Sequence, residues 1–281
     1  MAILGLNLGV DFRGGIVIQA KTQENVTIAE MRDRLAALEL GDINVQQFGD
    51  EDTVVVRVQD QNGGEEARSA AIERVKERLE PQVVRYERTE FVGPTVGEEL
   101  KRAGMLATGL ALAAMALYIW FRFEWQFAAA ALTALIHDVI TTLGFLSLTQ
   151  LEFNLGTVAA VLTIAGYSIN DTVVIFDRVR ETVRRYKRKA MPEMLNMAIN
   201  GTLMRSLMTS TTTLLALVAL AVFGGAVIRS FTYSLVWGVV IGTFSSIGIA
   251  VPMLLQLRLT PSTLVEDETT QEQQASARST G

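Results

Sequence analysis

Five apolar stretches in the second half of the chain constrain its fold more than any other feature. Residues 103–121, 207–228 and 231–257 carry no charged residue, and 127–149 and 155–176 carry one acid each. At about 1.5 Å of helix rise per residue, each can cross roughly 30 Å of hydrocarbon. Backbone in lipid must satisfy its hydrogen bonds internally, and unbroken apolar runs of this length predict helices rather than the alternating strands of a barrel. The predicted fold is therefore a membrane α-helical bundle with five visible spans, which makes the lipid bilayer the first expected partner.

Charge is divided unevenly. The net charge is −5, yet residues 1–100 hold 19 acids against 11 Lys/Arg, while 177–205 hold eight Lys/Arg against three acids. A basic excess lying beside apolar spans is a topology signal, so no nucleic-acid partner is expected. The absence of cysteine excludes disulfides and thiolate metal sites, and one histidine makes no zinc cluster. No cofactor or metal is expected, and no GxxxxGK[ST] phosphate loop occurs.

The first hundred residues read as a small α+β domain. Leu8, Val10 and Phe12 alternate as in an extended segment, and an apolar run at 16–18 follows Gly14-Gly15. Thr27 and Glu30 form a capping box for a helix with Ile28, Met31, Leu35 and Leu38 inward. Strands at 45–48 and 53–58 flank a turn at 49–52. A helix over 65–79 and a last strand over 83–91 complete a βαββαβ order, the ferredoxin-like arrangement. Nothing in this domain has catalytic spacing, so it reads as a binding or coupling module.

The run Arg178, Arg180, Arg184, Arg185, Lys187, Arg188 and Lys189 is the strongest basic cluster and predicts a cytoplasmic segment. Counting crossings from it places the α+β domain outside and the polar tail inside, where its Thr/Glu/Gln/Ser composition predicts disorder. Export of a domain that precedes the first visible span calls for a membrane helix ahead of Gly5, and Met1 to Leu4 is too short to be one.

Charges inside a bilayer cost at least about 2.5–3.5 kcal/mol each on insertion scales, so the polar residues within the spans are the candidate site. Asp138 lies near the middle of the second span, beside His137 and one turn before Thr141 and Thr142. Asn170 and Asp171 lie in the third span, with Asp171 roughly 8 Å by helix rise from its basic end. Arg205, Thr209 and Thr213 are spaced by four along one face of the fourth, with Arg205 at a similar depth to Asp171. An Asp171–Arg205 pair, with hydroxyls and the Asn170 amide to carry a water chain, has the parts of a proton relay, because protonating Asp171 would release Arg205. The same residues also suit a static salt bridge that glues helices together. His137 could shuttle protons or fill one hydrogen bond. Gly238, Gly242, Ser246 and Ala250 form a small-residue ridge for close helix packing.

Several motifs carry a family resemblance: GLNLGVDFRGG at 5–15, VGPTVGEEL at 92–100, His137-Asp138-Val139, GYSINDTVVIFDR at 166–178 and RSLMTSTTT at 205–213. Together they resemble the SecF branch of the SecD/SecF family of bacterial protein-export membrane subunits, within the RND superfamily. The resemblance implies six spans, a periplasmic domain after the first, partnership with SecD at the SecYEG channel, and use of the proton-motive force to help export preproteins. It implies a bacterial inner-membrane location and no enzymatic reaction. Matched by motif, Asp171 corresponds to the family's intramembrane proton-path acid and Arg205 to its basic partner. Two features depart from the family: the first span is missing, and Arg13 stands where a small residue or Thr is usual.

The expected organisation is a periplasmic ferredoxin-like domain over 1–100, a transmembrane bundle over 101–258 with a cytoplasmic basic loop at 177–205, and a disordered cytoplasmic tail over 259–281. Three other functions compete. A passive scaffold subunit would keep Asp171 as glue. An RND-type small-molecule exporter would need a larger periplasmic region, and an intramembrane aspartyl protease would need a Gly-x-Gly-Asp-like context that neither Asp138 nor Asp171 has.

Overall fold

The computed structural model describes residues 5–23, 27–41, 43–47, 52–61, 63–186, 189–225 and 228–259. Residues 49–51 of the expected turn, Asn62, Lys187, Arg188 and the tail from 260 lie outside these. The chain divides into two compact units, Asn7–Ala107 with Glu152–Leu155, and Met1–Leu6 with Thr108–Leu151 and Gly156–Gly281.

The first unit contains α1 (Val10–Arg13), β1 (Gly15–Thr22), α2 (Ile28–Ala36), β2 (Ile43–Gln47), β3 (Thr53–Val58), α3 (Gly64–Leu79) and β4 (Val83–Val92). Its four strands pair antiparallel in the order β2-β3-β1-β4. This is the four-stranded ferredoxin-like sheet that the βαββαβ order predicts. Ile16, Ile18 and Ala20 of β1 and Val54, Val56 and Val58 of β3 turn one face towards Met31 and Leu35 of α2 and Ala71, Val75 and Leu79 of α3. Burying a side chain of this size stabilises by about 1.5–3 kcal/mol. The Thr27–Glu30 capping box is present and starts α2.

The segment read as extended at 8–12 is different. Leu8 forms an isolated parallel bridge to Phe153, and residues 10–13 close a helical turn instead of a strand. Gly9 N–H donates to the Phe153 carbonyl at 2.8 Å, Phe153 N–H donates to the Asn7 carbonyl at 2.8 Å, and Arg57 pairs with Glu152 at 2.9 Å. The backbone pairing with Phe153, distant in sequence, decides the local conformation. Gly15 has φ of +111°, and a Cβ there would lie 2.7 Å from the Val58 carbonyl oxygen, so the second glycine of the pair is required by close sheet contact.

The second unit, which takes α4 from Thr108 onward, is helical. Among the described residues five helices are long and apolar enough to span a membrane: α4 (Pro94–Arg122), α5 (Trp125–Thr149), α6 (Leu155–Arg185), α7 (Met191–Phe223) and the last span, Arg229–Gln256. The basic segment expected as a loop at 177–205 is mostly helical, because α6 runs on to Arg185 and α7 begins at Met191 with Pro192 in its first turn. Charged side chains do not interrupt a helix, and Pro192 marks the restart without breaking it.

The last span is not uniform. It comprises α8 (Arg229–Ser245), a wide π-turn (Ser246–Ala250) and α9 (Val251–Gln256). Pro252, just downstream, lacks an N–H and crowds the carbonyl four residues back, which accounts for the opened turn. On this span Gly238 and Gly242 meet α6 closely. A Cβ at Gly238 would lie 2.1 Å from Ile164 Cγ1, and one at Gly242 would lie 3.2 Å from Ser168 Cβ. Lipid gives no hydrophobic drive between helices, so such close packing is a main source of cohesion.

Candidate functional site

Asp138, Asp171 and a set of hydroxyls occupy the interior where α5, α6, α7 and the last span face one another. Asp138 is fully buried. Its Oδ2 accepts from Ser168 Oγ of α6 at 2.6 Å and from Ser245 Oγ of α8 at 2.7 Å, and its Oδ1 lies 3.1 Å from His137 Nδ1. Thr141 and Thr142 donate to the carbonyls of His137 and Asp138, so they serve their own helix. The wide turn brings two consecutive serines inward, because Ser246 is also fully buried and shares a 2.8 Å hydrogen bond with Thr172 of α6.

Asp171 is buried three residues after Ser168. Its Oδ1 accepts from Ser206 Oγ of α7 at 3.0 Å, whereas its Oδ2 is buried with no hydrogen-bond partner among the described residues. One turn away, Tyr167 OH donates to Ser210 Oγ at 3.0 Å, and Ser210 shares a 2.6 Å hydrogen bond with Thr243 of α8. The two acids thus differ in kind. Asp138 is tied on both oxygens to three elements, while Asp171 keeps one oxygen able to take a proton without displacing a donor.

The expected Asp171–Arg205 pair is not formed, and among the described residues no ion pair joins them. Arg205 and Thr209 lie on the exposed side of α7 and Thr213 is half-exposed. Thr209 donates to the carbonyls of Arg205 and Ser206, and Thr213 to that of Thr209. The inward stripe of α7 is Thr202, Ser206 and Ser210, one position along. Asn170 faces outward and does not join Asp171. His137 contacts Asp138 as adjacency suggested and remains about a third exposed at its side chain. Sequence reading missed Ser168, Ser206, Ser210 and Ser245. The only signal for Ser206 and Ser210 was spacing by four, and 202/206/210 has the same spacing as 205/209/213.

Fold and site together define a multi-spanning membrane protein with buried carboxyl groups on an interhelical hydroxyl network and a separate ferredoxin-like unit. Residues 71–260 match the family described as protein export membrane protein SecD/SecF, C-terminal, and residues 1–26 match the SecD/SecF GG motif. The chain belongs to the SecD/SecF family. It is 46% identical over 251 residues to the protein translocase subunit SecF of Rickettsia bellii (strain OSU 85-389), covering 88% of this chain and 82% of that one. It is 45% identical over 263 residues to the protein translocase subunit SecF of Cereibacter sphaeroides, covering 90% and 81%. Among solved structures it resembles SecDF, a translocon-associated membrane protein from a Thermus species, with a TM-score of 0.81 and 34% identity over 90% of this chain. It also resembles SecDF in a super-membrane-facing form, with a TM-score of 0.63 and 33% identity over 98% of this chain. It spans 34% and 36% of those two solved chains.

Proposed function

We propose that the chain is an accessory, non-enzymatic subunit of the Sec translocase that works with SecD at the SecYEG channel and uses the proton-motive force to promote preprotein export across the bacterial inner membrane. In this reading residues 5–100 are periplasmic and 177–205 cytoplasmic, in keeping with the basic run that ends α6. Asp171 carries the proposal: a buried carboxyl with one oxygen held by Ser206 and the other without a donor can alternate between protonated and ionised forms. Ser206, Ser210, Tyr167 and Thr243 supply hydroxyls along the same interior. Arg205 turns its charge out of the bundle, which supports a role against an acid supplied by SecD rather than against Asp171.

A scaffold reading is favoured at Asp138 alone, where both oxygens are engaged and the group acts as a tie between α5, α6 and α8. The deciding experiment measures proton-gradient-dependent secretion into inverted membrane vesicles containing native or Asp171→Asn protein at equal complex yield. Loss of the gradient-dependent part with intact complex supports the proposal, and unchanged gradient dependence refutes it.

A further inference from the structure

On the face of the ferredoxin-like sheet turned away from α2 and α3, a cavity of about 610 Å³ opens against the outer strand β2. Alternation along the strands sets its lining. Val45 points into the core, so Asn44 and Gln46 of β2 point the other way and join Val17 of β1 and Arg57 of β3 around the cavity. Asn44 lies directly opposite Arg57 in the sheet. Arg57 is held by Glu152 at 2.9 Å and Asp60 by Arg68 at 3.0 Å, whereas Arg13, an exposed member of the lining, has no ion pair among the described residues. Asn44 and Gln46 are exposed as well.

β2 and β4 are the two edges of this sheet, and the sequence treats them differently. β4 carries Arg85, Glu87, Arg88 and Glu90, charges of the kind that keep an edge from pairing with a further strand. β2 reads INVQQ, with no charge and no proline. Its Val45 carbonyl accepts from Arg32 Nη2 at 3.4 Å, a long contact that a peptide N–H would replace. We infer that β2 takes an extended stretch of exported polypeptide as a fifth strand, with side chains of that stretch entering the cavity and Arg13 favouring acidic ones. This rests on the role in preprotein export proposed above. Main-chain hydrogen bonds to a sheet edge hold a strand of any sequence. The side-chain amides of Asn44 and Gln46 both donate and accept, so they too can pair with a peptide whatever it encodes. A subunit that meets many preproteins requires this tolerance, and the Arg13 charge adds a bias to it.

The test uses the full chain, which has no native cysteine, in membrane vesicles holding SecD, the SecYEG channel and a preprotein arrested during export. The preprotein carries a single cysteine in an unstructured stretch rich in either Asp or Lys. Gln46→Cys on β2 and Arg85→Cys on β4 are compared under a membrane-permeant oxidant, without a proton gradient. The disulfide to the preprotein should form at Gln46→Cys and not at Arg85→Cys, and the Asp-bearing stretch should react more than the Lys-bearing one. Arg13→Gln should reduce that preference by about two- to fivefold, the scale of one solvent-exposed ion pair, and Arg13→Lys should keep it. Equal reaction at the two edges, or reaction at neither, overturns the inference. Protection of Gln46→Cys from a maleimide by SecD alone, before any preprotein is present, also overturns it, because β2 would then be covered by that subunit. An undiminished preference in Arg13→Gln overturns the part given to Arg13. Reaction at Gln46→Cys together with unchanged gradient dependence in Asp171→Asn would refute the proton coupling and leave the docking strand standing. Lost reaction in a subunit whose secretion still depends on Asp171 overturns the docking strand alone.

Discussion

Ser206 Oγ donates to Asp171 Oδ1 at 3.0 Å, and this hydrogen bond is the direct link between α7 and the acid of α6. Groups that share a hydrogen bond respond to substitution jointly, whereas groups on opposite faces of a helix respond separately. Asp171→Asn and Ser206→Ala should therefore show a coupling of about 0.5–3 kcal/mol in thermal unfolding of the purified protein. Asp171→Asn and Arg205→Met should add to within roughly 0.5 kcal/mol. A large coupling between 171 and 205 would mean that the arginine turns inward in the membrane.

Asp138 should behave as a structural tie. Asp138→Ala strands the hydroxyls of Ser168 and Ser245 and should lower stability by about 1–2 kcal/mol, the upper end for a membrane hydrogen bond. Size-exclusion recovery after graded heating reads this out. Asp138→Asn, which keeps an acceptor, should lose less.

The small-residue ridge gives a contrast between two glycines. Gly238→Ala would place its methyl inside the volume of Ile164 and should cost about 1–3 kcal/mol by overpacking. Gly166→Ala meets nothing within 4 Å and should be neutral, or stabilising by up to about 1 kcal/mol through helix propensity. Melting curves of the two variants in the same detergent decide the matter.

In the ferredoxin-like unit, burial is the main cause, and the Glu80 charge a lesser one, that pushes the Tyr86 hydroxyl above its ordinary value of 10.0. The folded state then holds the phenolic proton more tightly than the unfolded chain. The stabilisation is fully present below pH 10 and is lost as pH rises further. Tyr86→Phe should remove this alkaline loss, while costing about 1 kcal/mol at neutral pH through the lost bond to the Lys76 carbonyl. Hydrogen-exchange protection of β4 between pH 7 and 11 reports both effects.

Topology can be tested directly because the chain has no cysteine. Gln61→Cys should react with a membrane-impermeant maleimide in spheroplasts and Lys187→Cys should not. The reverse pattern would invert the proposed orientation.

Much of this architecture is legible in residue order. Charge-free runs reveal the spans, Thr27 and Glu30 announce α2, and the ladder from Gly238 reveals a packing edge. The face of α7 is not legible, because Ser206, Thr209, Ser210, Thr211, Thr212 and Thr213 put hydroxyls all round one stretch of helix and leave no single polar stripe. The turn at Val10 is hidden for another reason: its conformation is set by the backbone pairing of its flank with Phe153, and no local pattern encodes a partner so distant in sequence. The helical ends of α6 and α7 were masked by charge, which reports where water begins and says nothing of where a helix stops.

The wide turn at 246–250 has a geometric consequence for the ladder. Residues spaced by four on an ordinary α-helix drift about 40° per step, so a line from Gly238 through Gly242, Ser246 and Ala250 to Leu254 would spiral well off its starting face. A π-turn holds more residues per revolution and takes back part of that drift. Ser246, Ala250 and Leu254 accordingly remain buried in line with the two glycines. The last span therefore offers its neighbours a straight rail where a spiral would be expected. Removing one residue from that turn would rotate α9 by about 100° and carry Leu254 away from the rail.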